Sequence, residues 1–122
     1  MKIAKIAVVS GFSALIAPLT AQSADLEVNQ TIYVCERGVS VPVVYINPAN
    51  GTPIAVLAVE GKLVTLKNER SASGALYVST DKHDSYRLWS KGDTAIVTYL
   101  PAEKNAKEQT LFANCQADVP ND

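Results

Sequence analysis

Histidine occurs once in this sequence, at position 83, and cysteine twice, at 35 and 115; methionine and tryptophan also appear once each. That scarcity excludes most metal centres, because only His83 could join the two thiols as a usual zinc ligand and nothing has zinc-finger spacing. Charge is sparse and balanced, at 19% of residues with 11 basic against 12 acidic. A polyanion-binding surface is therefore excluded on bulk charge, and the few aromatics are not interleaved with basic residues as a nucleic-acid surface would have them. Neither a glycine-rich phosphate loop nor a nucleophile elbow is present. Beyond residue 24 no window of about 11 residues sustains a helical apolar stripe. What the chain does have is apolar residues, 48% of 122. That is enough for a core and too short for two domains, so disorder is excluded as well.

The amino terminus reads as an export signal. Lys2 and Lys5 supply a positive start, a mostly apolar run follows from Ile6 to Leu19, and Ala21-Gln22-Ser23-Ala24 offers small residues for cleavage. A membrane span needs about 20 apolar residues, and this run is shorter and broken by Pro18. Residues 1–23 are thus expected to be a signal peptide, cut after Ser23 or Ala24, and 24–122 a single exported domain. No cysteine stands at that junction to take a lipid anchor. Without Lys2 and Lys5 the 11 basic residues fall to 9 against 12 acidic, a formal charge of −3 that favours basic partners. In an oxidising compartment the default for Cys35 and Cys115 is one disulfide. A link across 80 residues contributes on the order of 4 kcal/mol in the chain-entropy picture.

Short runs rich in β-branched residues recur through the exported part. Strands are expected over Thr31–Glu36, Val39–Ile46, Ile54–Val59, Lys62–Lys67, Gly74–Ser79, Ser85–Ser90, Thr94–Leu100 and Glu108–Asn114. Between them stand Arg37-Gly38, Asn47-Pro48-Ala49-Asn50-Gly51, Glu60-Gly61, Ser73-Gly74 and Lys91-Gly92-Asp93, residues suited to tight reversals. Pro101–Glu108 is polar all round and reads as a loop. Eight short strands with hairpin-length links imply an all-β antiparallel barrel or sandwich. Pro42, inside the second strand, cannot donate to a ladder and marks a bulge or an edge.

Catalytic chemistry is hard to assemble. With the cysteines paired, His83 is left in the polar link Ser79-Thr80-Asp81-Lys82-His83-Asp84-Ser85, with no nucleophile partner. Asp81 and Asp84 could orient it or hold a weak metal, but a solvated turn is the plainer reading. No enzyme activity, metal or cofactor is expected, and His83 should be dispensable. The densest remaining segment runs from Ser71 to Val97. Trp89 and Lys91 are two apart and would share a strand face, with Lys91 at a hairpin tip where its stem projects a charge. Core roles for Trp89 and Tyr86 and a solubilising role for Lys91 are the plainer alternatives.

This segment resembles the signature of the bacterial inhibitors of c-type (chicken-type) lysozyme, known in membrane-bound and periplasmic versions. That signature is a Ser-Gly-x-x-Tyr loop followed by Tyr-x-x-Trp-x-Lys-Gly-x-x-Ala-x-Leu. Here the first is Ser73-Gly74-Ala75-Leu76-Tyr77 and the second Tyr86-Arg87-Leu88-Trp89-Ser90-Lys91-Gly92-Asp93-Thr94-Ala95-Ile96-Val97. Val97 stands for the leucine, and the link from Tyr77 to Tyr86 is longer than the family's. Tyr33-Val34-Cys35 and Cys115 match the disulfide framework, and the missing lipid-attachment cysteine fits the periplasmic version. The resemblance implies a small eight-stranded antiparallel β-barrel closed by one disulfide. It further implies that Ser73, Gly74, Tyr77, Lys91 and Gly92 meet lysozyme, with Ser73 and Lys91 contacting its catalytic carboxylates. A retaining glycosidase holds two carboxyl groups about 5 Å apart, one kept protonated by its pocket. An ammonium inserted there would favour ionisation of that acid and occupy the sugar's space. The partner implied is a c-type lysozyme, with no nucleic acid and no membrane anchor; self-association is left open. The alternative is a small exported barrel that binds an apolar ligand or serves the envelope structurally.

Overall fold

The computed structural model describes residues 25–119, and Gly11 and Leu15 besides. The leader expected over residues 1–23, with its cleavage point, therefore lies outside the described residues, those two positions excepted. Eight strands follow one another: β1 (Leu26–Val34), β2 (Ser40–Pro48), β3 (Ile54–Val59), β4 (Lys62–Glu69), β5 (Ala75–Ser79), β6 (Ser85–Lys91), β7 (Thr94–Leu100) and β8 (Gln109–Ala117). Each pairs antiparallel with the next and β8 returns to β1, so the sheet closes as a barrel. All eight expected strands are present in order. Five are longer than expected, β1, β2, β4, β6 and β8, above all β1, which begins at Leu26, and β8, which runs to Ala117; β1 stops at Val34, because the expected end at Glu36 belongs to the 3-10 turn Glu36–Gly38.

Alternation decides which side chains go inside. In β3 every second residue is buried, Ala55 and Leu57 completely and Val59 almost so. Val43, Leu66, Leu88 and Val97 meet them from the other strands, each no more than 1% exposed. A barrel of this strand number has an interior just wide enough for its side chains to fill. The side chains gathered inside form the core of the protein.

The turns follow their residues. Glu60 and Gly61, between β3 and β4, both take positive φ (50° and 77°), as a two-residue hairpin with strand-matching twist requires. Pro42 proves to be an edge: β2 pairs with β3 only from Val43↔Leu57 to Ile46↔Ile54, and Pro42 lies just beyond the end of that ladder. The missing N–H therefore costs the sheet nothing.

The seam between β1 and β8 is the thinnest in the barrel, with Tyr33↔Ala117 and Val34↔Gln116 as its register pairs. Cys35, directly after β1, is joined to Cys115 in β8 across that seam. Both sulfur-bearing residues are buried. The covalent link thus reinforces the closure where hydrogen bonds are fewest.

Candidate binding site

The β5–β6 hairpin decides whether the two sequence motifs meet. Its register pairs Ala75 with Ser90, Leu76 with Trp89 and Tyr77 with Leu88. One step back along β5 brings Gly74 beside Lys91. A methyl group built on Gly74 would lie 2.6 Å from the Ser90 carbonyl oxygen and 3.3 Å from Lys91 Cβ. The Ser73–Gly74 turn and the Lys91–Gly92 turn are therefore packed against each other at one end of the barrel. The link Thr80–Asp84, whose length departs from the family pattern, sits at the other end of the same hairpin. It leaves this convergence untouched.

Each turn is pinned by its own polar residues. Ser71 Oγ donates to the Ser73 carbonyl at 3.0 Å and accepts from the Ser73 N–H at 3.4 Å. Ser73's own hydroxyl, exposed, has no partner among the described residues. Lys91 pairs with Thr94 across the two-residue reversal Gly92–Asp93, and Thr94 Oγ1 donates to the Lys91 carbonyl at 2.9 Å. Gly92 has φ +58° and Gly74 φ +69°, backbone states that glycine enters without strain. The Lys91 side chain is exposed and belongs to neither ion pair of the described residues, which are Lys62–Asp84 and Arg87–Glu108. The turn that carries the Ser73 hydroxyl and the turn that carries Lys91 are thus packed together, each pinned in its backbone with its side chain exposed.

Beneath the turns lies a hollow of about 470 Å³ at the barrel mouth, bordered by Tyr33, Tyr45, Tyr77, Ser90 and Gly92. Tyr33 and Tyr45 share a hydroxyl–hydroxyl hydrogen bond of 2.7 Å, and the Tyr45 and Tyr77 rings lie 5.5 Å apart at 55°. Burial pushes the Tyr45 hydroxyl far above its ordinary value of 10.0, the Tyr33 hydrogen bond adds to the rise, and Ser90 partly opposes it. Tyr77 is raised by burial in the same way. Tyr45 and Tyr77 remain neutral phenols, and with Tyr33 they brace the mouth. Tyr77, expected among the contacting residues, is only 7% exposed and supports the Ser73 turn from below. Tyr33, Tyr45 and Ser90 join the site without having been singled out. The three tyrosines lie on β1, β2 and β5, and no spacing in the chain links them.

The other features of the motif segment separate. Tyr86 is core, 3% exposed, with its ring 5.0 Å from that of Tyr99. Trp89 is half-buried. His83 is exposed in the opposite link; Asp81 accepts from its backbone N–H at 2.9 Å, and Asp84 is held by Lys62 at 2.7 Å. Neither carboxylate orients the imidazole.

Residues 33–106 match the family described as membrane-bound lysozyme-inhibitor of c-type lysozyme. The membrane-bound lysozyme inhibitor of C-type lysozyme of Yersinia enterocolitica is 39% identical over 67 residues, covering 54% of this chain and 48% of that protein. The chain thus spans about half the length of this relative. The solved periplasmic lysozyme inhibitor of C-type lysozyme from Salmonella typhimurium has a TM-score of 0.62 at 24% identity, over 75% of this chain and 98% of that one. That likeness is one of fold. The family match covers more than half of the chain, takes in both motifs and ends well short of Cys115; the chain belongs to the family of membrane-bound lysozyme inhibitors of c-type lysozyme.

Proposed function

We propose that this protein inhibits a c-type lysozyme by presenting the Ser73–Gly74 and Lys91–Gly92 end of its barrel to the enzyme's cleft. The observation that carries this reading is the contact at Gly74, where only a hydrogen lets one turn close on the other beside Lys91. A hydroxyl and an ammonium carried on adjoining turns suit a target with two carboxyl groups about 5 Å apart. The ammonium would pair with the carboxylates and stabilise their ionised form, removing the general acid. The serine hydroxyl would hydrogen-bond the same group. Family membership and the names of the Yersinia and Salmonella proteins support the same target.

The protein would act after export, in the periplasm, as a binding partner that transforms nothing itself. Its formal charge of −3 after loss of the leader, from 9 basic and 12 acidic residues, would speed encounter with a basic enzyme. The direct test is to mix the exported protein with a c-type lysozyme and follow clearing of a cell-wall suspension. Clearing should stop as the inhibitor approaches equivalence. Unchanged clearing with the inhibitor in large excess would contradict the proposal.

A further inference from the structure

The sequence carries seven asparagines, and Asn50 alone is followed by glycine. That pairing has a chemical consequence. The backbone nitrogen of the next residue can attack an asparagine's side-chain carbonyl carbon, and glycine has no Cβ to obstruct the approach. The other described asparagines are blocked in different ways. Asn47 precedes Pro48, which has no N–H. The Asn29 amide donates to Glu27 Oε1 at 2.8 Å, that of Asn68 to the Leu76 carbonyl at 3.3 Å, and that of Asn114 to Glu36 Oε1. Asn105 is exposed, but Ala106 follows it. Asn50 and Gly51 are both exposed, and no hydrogen bond holds the Asn50 side chain among the described residues.

The connection from β2 to β3 holds both residues. Where each strand is antiparallel to the next, alternate connections share an end of the barrel. This one therefore stands on the same rim as the β4–β5 turn with Ser73 and the β6–β7 turn with Lys91. Asn68 ties it to the Ser73 hairpin: its N–H donates to the Pro53 carbonyl at 3.0 Å and its side chain to the Leu76 carbonyl. At the other side of the loop the Ala49 N–H is anchored on the Asp25 carbonyl at 2.9 Å. Between these anchors residues 50–52 are exposed and outside the strands. Exposed loop tips of small and polar residues are where the backbone moves most freely.

We infer that Asn50 is a site of spontaneous deamidation, with Gly51 supplying the nucleophile and water the only co-reactant. The Gly51 nitrogen gives its proton to solvent and bonds to Asn50 Cγ. The bond from Cγ to the side-chain nitrogen breaks, and that nitrogen takes up a proton and leaves as ammonia. Water then opens the resulting ring imide at either carbonyl, and nothing is oxidised or reduced. One opening gives aspartate in a normal backbone; the other gives isoaspartate, in which the chain continues through the former side chain. Either product adds one carboxylate, taking the exported chain from 9 basic against 12 acidic residues to 9 against 13. The change falls in a loop away from the core, so the barrel keeps its fold. On the reading proposed above, aged molecules would differ from fresh ones on the rim offered to lysozyme; the modification itself does not depend on that reading.

The test holds the intact, folded protein at mildly alkaline pH for weeks, then digests it with trypsin for mass spectrometry beside a sample digested at once. Trypsin cuts after Arg37 and Lys62, and the fragment 38–62 holds Asn47 and Asn50 and no glutamine. Since Asn47 precedes proline, a gain of about 1 Da in that fragment reads Asn50. The fragment should split into two heavier forms, aspartate and isoaspartate, faster at higher pH and with the circular dichroism of the protein unchanged. Fragments holding Asn68 and Asn105 should keep their masses. A methyl group on Gly51 would press on Pro48 Cγ at 3.2 Å, so the control substitution is made at Asn50. Asn50→Gln would have to close a larger ring and should keep its fragment at one mass. An unchanged fragment 38–62, under conditions that convert a free peptide of the same sequence, would overturn the inference. So would a gain at Asn68 or Asn105 as fast as at Asn50, since neither the loop nor the glycine would then single out Asn50.

Discussion

Gly74 and Gly92 both take positive φ, yet the structure separates what each one does. A Cβ at Gly92 would meet nothing within 4 Å, whereas one at Gly74 would run into the Ser90 carbonyl. Gly92→Ala should therefore cost only the left-handed backbone penalty, about 1 kcal/mol. Gly74→Ala adds a backbone clash to the same penalty and should cost about 2–4 kcal/mol, read as the larger fall in Tm. Equal losses would mean that the turns do not close on each other. Tyr45 gives a second residue-scale prediction. Its hydroxyl is neutral in the folded protein well above 10.0, while in the unfolded chain it ionises near that value. The folded form then holds the proton that the unfolded form releases, so stability is unaffected below pH ~10 and falls as pH rises above it. Tyrosinate absorbance should appear together with loss of β-sheet circular dichroism. Ionisation of Tyr45 without unfolding would contradict its burial.

At the scale of elements, strand positions were readable because alternation and turn residues are local. β3 and β4 match their expected beginnings, and β5 to β7 match within a residue. The start of β1 was hidden for a physical reason: Glu27, Asn29 and Thr31 occupy the positions that in a mid-barrel strand would be apolar, while Leu26 and Val28 point outward into solvent. The end of β8 was hidden by Asn114, which takes φ +52° at a register shift against β7 between Ala95↔Cys115 and Val97↔Phe112. Ser73 and Lys91 could be named from their motif, but their meeting depends on the β5–β6 register, and a slip of one residue would turn every side chain over. The tyrosine bracing needed three registers at once. The disulfide belongs to this scale too, as the clasp on the β1–β8 seam. Replacing both cysteines with serine should cost about 2–5 kcal/mol. Hydrogen exchange should accelerate first at Val34 and Gln116. Uniform acceleration around the barrel would mean the bridge stabilises the chain globally without guarding that seam.

Across the whole molecule the barrel has two ends with different equipment. One carries the Ser73 and Lys91 turns over the tyrosine-lined mouth; the other carries the Thr80–Asp84 link with His83, and the Pro101–Glu108 loop with Lys104. Only the first end should matter for inhibition, and the filled interior between them transmits nothing but support. Ser73→Ala removes one hydrogen bond to a charged group and should weaken inhibition by about 1–2 kcal/mol. His83→Ala and Lys104→Ala, at the far end, should inhibit like the parent. Lys91→Ala carries the decisive measurement, an inhibition titration against a c-type lysozyme with folding checked by circular dichroism. Removing one partner of a desolvated charge pair costs about 2–5 kcal/mol, so the variant should bind roughly 30- to several-thousand-fold more weakly. A folded Lys91→Ala protein that inhibits as strongly as the parent would contradict the account and place the binding surface elsewhere.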